Sequence, residues 1–236
     1  MTAILNQHEN YLQADQAYGF PLLIKNLLSR AKVVSGDKKI HYADKTSYTY
    51  HEFFKRVNRL ANVLKGLNLQ KGDVVAVMDW DTHRYLECYF AIPMCGYILQ
   101  TVNVRLSEDK VLYTINHAKP KALLLNSEFS PMIKSHTQDA PSVEHVIWLD
   151  DNNTPMPSYA QGEYEAMLAQ ASDEYEFEDF DENTIATTFY TSGTTGNPKG
   201  VFFSHRQIVL HTLVVAIGCA LNVEGQGVRY SDVYMP

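Results

Sequence analysis

The chain has 236 residues, of which 45% are hydrophobic, and its formal net charge is -7 at pH 7. The hydrophobic content is sufficient for a packed core, and the length permits one or two domains. Because the charge is acidic and no run of Lys or Arg is longer than Lys38-Lys39, broad binding to nucleic acid or to an anionic membrane surface is not expected.

Cysteine usage and the apolar runs bear on location. Cys88, Cys95 and Cys219 form no Cys-x-x-Cys pair and no zinc spacing, which favours a reducing, cytoplasmic compartment. The first 18 residues are polar and carry no secretory signal. The longest apolar run, Ile208 to Leu221, contains His211 and is shorter than the roughly 20 residues that a spanning helix needs. We therefore predict a buried helix there and no transmembrane segment.

The first elements in chain order are a helix, a strand pair and a second helix. Apolar spacing predicts a helix from Phe20 to Lys32, and the strands are expected at Lys39 to Tyr42 and Ser47 to Thr49. Thr49 and Glu52 form a capping-box pattern ahead of an apolar stripe with intervals of three and four residues. The stripe predicts a long helix packed on the core.

An alternation of strands and helices follows. Asp73 to Met78 has the composition of a strand buried on both faces, and Thr82 to Met94 is apolar almost all round, with Arg84 and Glu87 spaced for a helical ion pair. Further along we predict strand 97–102, helix 107–117, strand 121–125, a weaker helix 128–136 and strand 143–149. This order predicts an α/β fold, a layered and mostly parallel sheet with helices on both faces.

The next stretch is polar and then strongly acidic. Residues 150–157 read as a surface loop, and Ser158 with Gln161 has a capping-box shape ahead of a helix that ends near Gln170. Residues 173–182 hold seven carboxylates and no basic residue. A docking segment or a metal site is one interpretation. A solvated connection whose aromatic rings pack on the surface is favoured, because adjacent acidic residues lack ligand geometry.

The stretch from Thr191 to Gly200 combines hydroxyls, glycines and Lys199 between two strand-like runs, 185–190 and 201–203. Glycines at 193, 196 and 200 permit positive φ and close approach of backbone N–H groups to a ligand, and Lys199 supplies a positive charge. The pattern predicts a polyphosphate-binding loop rather than a solvated linker. It is not a Walker A loop, since Pro198 and Gly200 flank the lysine.

Residues 190–201, Tyr-Thr-Ser-Gly-Thr-Thr-Gly-Asn-Pro-Lys-Gly-Val, resemble the signature loop of the adenylate-forming enzymes. The resemblance implies a loop that grips ATP phosphates while a carboxylate attacks the α-phosphate, giving an acyl-adenylate that passes its acyl group to a thiol. Residues 79–91, 103–106 and 116–118 resemble the fatty acyl-CoA synthetase branch, although Val104 stands where that branch usually carries Pro. An amino-acid-adenylating domain is a weaker alternative.

The resemblance implies the site and the substrates. Lys199 is the expected catalytic residue, no residue of this chain is expected to ligate a metal, and the substrates are ATP with Mg²⁺, CoA and a fatty acid. The expected ATP-binding residues are Thr191, Ser192, Gly193, Thr194, Thr195, Gly196 and Lys199.

The same resemblance implies an incomplete protein, because the family is more than twice this long. We expect a truncated large N-terminal domain of an acyl-CoA synthetase-like fold, with a lead-in at 1–70, a βαβ-type subdomain at 71–186 and the phosphate-loop strands with a helix at 187–236. The mobile C-terminal domain is expected to be absent, the fragment to be inactive alone and the protein to form a homodimer. The alternative is a non-catalytic, truncated nucleotide-binding or interaction module.

Several polar residues outside the loop have side chains that could serve either function or structure. Asn103 and Arg105 are expected to shape a corner between a strand and a helix, where the arginine could contact a partner subunit. His205 could approach a ligand, but Ser204 and Gln207 form a capping pattern that makes it a first-turn structural residue.

Overall fold

The computed structural model describes residues 19–133, 136–191, 196–220 and 232–233. The strands are β1 Lys39–Tyr42, β2 Thr46–Thr49, β3 Val74–Met78, β4 Ile98–Thr101, β5 Ala122–Asn126, β6 His145–Leu149, β7 Gly162–Glu163, β8 Ile185–Thr191 and β9 Lys199–Ser204. The α-helices are α1 Ile24–Val34, α2 Tyr50–Gly66, α3 His83–Met94, α4 Glu108–Ala118, α5 His136–Asp139, α6 Tyr164–Gln170 and α7 His205–Ala220, and a 3-10 helix covers Ser127–Met132.

Seven strands form one sheet in the order β7-β6-β5-β3-β4-β8-β9, and β1 pairs with β2 in a separate antiparallel hairpin. Every neighbouring pair in the large sheet is parallel except β8 and β9. The β-branched and leucine-rich runs at β3 and β5 are buried on both faces, as parallel strands require. The predicted fold class, a mostly parallel sheet with helices on both faces, is confirmed.

Two apolar clusters lie on opposite faces of the sheet. One contains α1, α2, α3 and α6 side chains with Val75, Val77 and Leu124, and the other contains α4 and the 3-10 helix with Ala76 and Met78. Alternate residues of β3 therefore face different clusters, which is the two-residue period of a strand. This arrangement fixes the sheet between two helical layers.

The capping signals explain where two of the helices begin. Thr49 Oγ1 accepts a hydrogen bond from the backbone N–H of Glu52 at the start of α2, and Thr82 Oγ1 accepts from Tyr85 at the start of α3. The cap expected from Ser158 and Gln161 is wrong. Glu163 caps α6 instead, because Gln161 hydrogen-bonds Val146 beside the short strand β7.

Two other sequence-based expectations are corrected. The weak helix predicted at 128–136 is a 3-10 helix that contains Pro131, and a separate single turn, α5, follows it. The helix predicted to be buried, α7, exposes most of its apolar side chains in the described structure. In the part of the chain that is described, no helix is both long and apolar enough to cross a membrane.

Candidate functional site

The predicted phosphate loop is the connection of the β8–β9 hairpin. Thr191 pairs with Lys199 and Tyr190 with Gly200, so residues 192–198 connect the two strands. The predicted site residues Ser192, Gly193, Thr194 and Thr195 lie outside the described residues. The structure therefore fixes the two ends of the candidate loop and the strands that carry it.

The described ends of the loop suit a phosphate ligand. Gly196 has φ of +96°, a conformation that L side chains rarely adopt, and no atom lies within 4 Å of the position a Cβ would occupy. The exposed Lys199 begins β9 directly across from Thr191, whose Oγ1 lies 3.5 Å from the Lys199 carbonyl oxygen. A positive charge and an open backbone at Gly196 thus stand at one side of the loop.

The expectation of positive φ at Gly200 is wrong. Among the described glycines, only Gly72, Gly96 and Gly196 have positive φ. Gly200 lies within β9, and a Cβ there would stand 3.4 Å from the ring of Tyr190 across the ladder. That distance is ordinary van der Waals contact, so neither the backbone conformation nor the Tyr190 ring requires glycine at position 200.

The loop leaves the sheet at its carboxyl edge. Thr101 of β4 pairs with Phe189 of β8, and the chain continues two residues further before the loop begins. In open α/β sheets, ligands bind outside the carboxyl ends of parallel strands, where side chains from several strands can converge. The position of the hairpin therefore agrees with the phosphate-binding prediction.

The carboxyl ends of the neighbouring strands β3 and β5 would be another candidate site. The connections that follow these two strands lie on opposite faces of the sheet, and ligands often bind at such a topological switch point. Here polar side chains fill that position. Asn126 Nδ2 donates to Asp79 Oδ1 at 2.6 Å, and Thr82 Oγ1 donates to Asp79 Oδ2 at 2.6 Å. Burial raises the pKa of Asp79, although Thr82, Arg84 and Asn126 oppose the rise. Because these polar groups bond to one another, the ends of β3 and β5 offer fewer free groups to a ligand than the described ends of the hairpin loop.

The ion pair predicted between Arg84 and Glu87 is wrong. Arg84 is 1% exposed, and its guanidinium lies 2.9 Å from Asp151 Oδ1 and donates to the Asp150 carbonyl at 3.2 Å. Both partners follow β6. Because α3 is buried nearly all round, its charged side chains take partners from other elements rather than from each other.

Glu87 is the centre of a second buried network. Its carboxylate accepts hydrogen bonds from Arg56 Nε at 2.7 Å, from the Tyr48 hydroxyl at 2.7 Å and from the Tyr164 hydroxyl at 2.6 Å. These donors come from α2, β2 and α6. The sequence signal that could have revealed the network is a carboxylate on a helix that has no polar face. Its role is to join four elements, since a buried carboxylate needs several donors.

Two cavities lie away from the hairpin. The larger, about 940 Å³, is lined by the ends of α2 and α3 and by the acidic segment, and the smaller, about 240 Å³, adjoins the Arg84 and Glu165 side chains. Burial alone would raise the pKa of Glu165, but hydrogen bonds from His83 and Arg56 lower it to about 2. Neither cavity is lined by described hairpin residues, so neither replaces the loop as the candidate site.

A metal site is not evident in the described residues, where no group of three or more His, Cys, Asp or Glu side chains is arranged to hold an ion. Four of the seven carboxylates of residues 173–182, those of Asp173, Glu178, Asp179 and Glu182, instead pair with lysines or arginines. The described residues at the hairpin supply hydroxyls and one ammonium group, which fit phosphate oxygens and do not fit a metal ion.

Residues 28–236 match the model of the family described as AMP-binding enzyme. The chain is 33% identical over 211 residues to the medium-chain-fatty-acid–CoA ligase of Ectopseudomonas oleovorans, a match that covers 87% of this chain and 39% of that protein. It is 34% identical over 210 residues to the long-chain-fatty-acid–CoA ligase of Thermus thermophilus, covering 89% of this chain and 36% of the relative. The chain thus spans less than two-fifths of the length of these curated relatives.

Solved structures show the same fold. The anthranilate CoA ligase AuaEII in complex with anthranoyl-AMP superposes with a TM-score of 0.72 at 24% identity, covering 81% of this chain and 36% of that structure. ATP-bound MatB from Rhodopseudomonas palustris superposes with a TM-score of 0.71 at 25% identity, covering 84% of this chain and 38% of the other. The layered sheet described above therefore matches part of these larger proteins.

Proposed function

Because this chain belongs to the AMP-binding enzyme family, we propose that it is the N-terminal, ATP-gripping part of an AMP-forming fatty acid–CoA ligase. In the proposed reaction a fatty acid carboxylate attacks the α-phosphate of ATP and displaces pyrophosphate. The thiol of CoA then attacks the acyl carbon of the acyl-adenylate and releases AMP. The observation that carries the proposal is the hairpin at the carboxyl edge, with Thr191 and Lys199 at the ends of one loop.

Each proposed role follows from the chemistry of the residue. The Lys199 ammonium group offsets negative charge on the phosphates, and Gly196 lets the backbone approach them without a side chain in the way. Hydroxyls of Thr191, Ser192, Thr194 and Thr195 donate to phosphate oxygens, with Gly193 supplying further freedom of the backbone. Such donors act by fixing the position of ATP and by stabilising charge that develops during transfer.

The substrates and the division of the chain belong to the same proposal. We assign ATP phosphate binding to this chain, and we assign it no metal ligand, no acyl pocket and no CoA contact. The proposed division is 1–70 as a lead-in, 71–186 as the βαβ-type subdomain and 187–236 as the phosphate-loop strands with the following helix. Mg²⁺ would supply additional positive charge on the phosphates when bound.

Location and assembly are proposed on separate grounds. All three cysteines are free thiols, and Cys88 is buried, which agrees with a cytoplasmic protein in a reducing environment. We also propose a homodimer, in which Arg105, exposed at the corner between β4 and α4, is a candidate contact with the partner subunit. Light scattering of the complete ligase tests it, and a monomeric mass at all concentrations would contradict it.

The proposed function predicts the effect of Lys199→Ala in the complete ligase polypeptide that carries this segment. Carboxylate-dependent exchange of pyrophosphate into ATP should fall about 100-fold, the scale for loss of one well-placed electrostatic donor. Lys110→Ala, which removes an exposed lysine from α4, is the matched control and should retain the rate of the unsubstituted protein. An unchanged exchange rate for Lys199→Ala would remove the role assigned to that residue.

A further inference from the structure

Tyr190 connects the phosphate-loop hairpin to helix α4. Its hydroxyl lies 2.8 Å from His117 Nδ1, and the two rings are edge to face at 5.7 Å. His117 is in the last turn of α4, and Tyr113, one turn earlier, packs on the same imidazole at 5.8 Å. We call Tyr113, His117 and Tyr190 the α4 clamp. Within this clamp, the hydrogen bond between His117 and Tyr190 joins α4 to the hairpin.

The clamp holds the residue that directly precedes the predicted loop. Tyr190 directly precedes Thr191, and its ring lies over Gly200, which directly follows Lys199. A restraint on the tyrosine ring therefore restrains both ends of the loop. A Cβ at position 200 would stand at ordinary contact distance from this ring, so the ring and the Gly200 backbone are close neighbours.

The chemistry of the pair permits a hydrogen bond, since the Tyr190 hydroxyl can donate to the Nδ1 lone pair of the tautomer that is protonated at Nε2. Burial raises the pKa of Tyr190, which keeps the hydroxyl in its donor form. The other restraints on this end of β8 are its pairing with β9 and one long side-chain contact. Thr191 Oγ1 is 3.5 Å from its acceptor, and β9 has no further described strand beside it.

We propose that His117 is a positioning residue for the phosphate loop, acting through Tyr190 to hold Thr191 and Lys199 in register. The inference rests on the proposed function for its consequence, since the loop is taken to bind ATP phosphates. Its structural part, the restraint of the hairpin by α4, stands independently of activity. His117 itself is not assigned any contact with substrate.

The first test is hydrogen exchange in the 236-residue chain, which needs no catalytic activity. His117→Ala and Tyr190→Phe should each increase amide exchange at residues 189–191 and 199–201 about fivefold, as expected when one hydrogen bond of ordinary net strength is lost. The double variant should exchange no faster than either single variant, because both remove the same bond. Asn116→Ala is the control, because Asn116 bonds Asp139 rather than the hairpin.

Rescue and kinetics complete the test. His117→Asn places an amide oxygen near the position of Nδ1 and should restore most of the lost protection, whereas a purely structural effect of truncation would persist. In the complete ligase, His117→Ala should raise the KM for ATP about fivefold and change kcat less than twofold, since binding geometry is lost and no catalytic group is removed.

The outcomes separate the two proposals. Unchanged exchange in both single variants, or additive effects in the double variant, would overturn the positioning role. A ligase without carboxylate-dependent pyrophosphate exchange, but with hairpin exchange that depends on His117, would overturn the proposed function and leave the restraint established. A KM for ATP that does not respond to His117→Ala would show that the restraint does not serve nucleotide binding.

Discussion

His205 shows how a residue beside the candidate loop can be purely structural. Its side chain is fully buried, the backbone N–H of Ile24 donates to Nδ1 at 3.3 Å, and the Phe180 ring packs against it edge to face at 5.0 Å. The expected cap is confirmed, since Ser204 and Gln207 exchange backbone-to-side-chain hydrogen bonds. His205 therefore joins α7 to α1.

The burial of His205 predicts a dependence of stability on pH. Burial lowers its pKa from 6.5 to about 4, so the unfolded chain binds a proton more readily than the folded chain between these values. Stability is unaffected by this group above pH 6.5 and decreases as the pH falls from 6.5 to 4. Urea unfolding should show the decrease, with about 2 kcal/mol attributable to His205 at pH 4.5.

His205→Gln provides the matched comparison, because glutamine keeps polar atoms at this position and does not titrate. The variant should lose less stability than the original protein over the same pH interval, whatever its stability at pH 7. Equal slopes for the two proteins would contradict the assignment of this pH dependence to His205.

At the scale of elements, the acidic segment at residues 173–182 packs across helices α1 and α2. Phe177 packs against the larger core cluster, which agrees with the interpretation of a connection whose aromatic rings cover the surface. Its carboxylates also pair with basic side chains of α1, α2 and the turn before β3, namely Lys25 with Asp179, Lys55 and Arg59 with Asp173, and Lys71 with Glu178. These ion pairs attach the segment to the helices, in agreement with the favoured interpretation of a surface connection.

Helices α3 and α7 both lack a polar face. Helix α3 is buried nearly all round, whereas α7 is mostly exposed in the described structure. Val209 is 4% exposed, whereas Val214 is 67% exposed and Ile217 is 56% exposed. Phe202 of β9 is also exposed beside this helix. Five large apolar residues of this helix are thus exposed in the part that is described, namely Leu210, Leu213, Val214, Val215 and Ile217. Exposed apolar groups of this kind mark interaction surfaces when they are contiguous.

The two sides of α7 should therefore respond differently to the same substitution in the 236-residue chain. Val209→Glu buries an unpaired carboxylate and should lower the free energy of unfolding by roughly 3 to 5 kcal/mol. Val214→Glu should change it by no more than about 0.5 kcal/mol and should reduce binding of the dye ANS. Urea unfolding and dye fluorescence measure both, and an equally large loss for Val214→Glu would show that this side is covered.

At the scale of the whole molecule, the proposed function assigns to this chain one side of a nucleotide site. The hairpin offers one ammonium group and several hydroxyls, and no described cavity adjoins it. Ligand sites usually enclose most of the ligand surface, and affinity depends on how much of that surface is desolvated with matched partners. The proposed function accordingly places the remaining contacts on polypeptide that corresponds to the rest of the relatives' length.

We therefore predict weak binding of ATP by the 236-residue chain. Titration calorimetry should give a Kd of about 1 mM or weaker, which corresponds to a binding free energy of about -4 kcal/mol. Lys199→Ala should weaken this binding further. A Kd in the micromolar range would contradict the prediction, because the hairpin alone would then be sufficient for nucleotide binding.

Local chemistry was enough to determine much of this protein from its sequence. The two-residue and 3.6-residue periods gave the strands β3 to β6 and the helices α2 to α4 nearly at their observed bounds, and Thr49 and Thr82 marked helix starts. The position of the hairpin followed from two β-branched runs on either side of a glycine-rich stretch. These features depend on neighbours within a few residues, so the sequence displays them directly.

Only the tertiary structure decided which residues meet across elements. The partners of Arg84 and Glu87, the bond between His117 and Tyr190, and the exposed side of α7 all depend on contacts between residues far apart in the chain. A charged residue on an apolar helix signals that a distant partner is needed, but it does not identify that partner. Packing selects it, because burial makes an unpaired charge costly and leaves only side chains brought close by the fold.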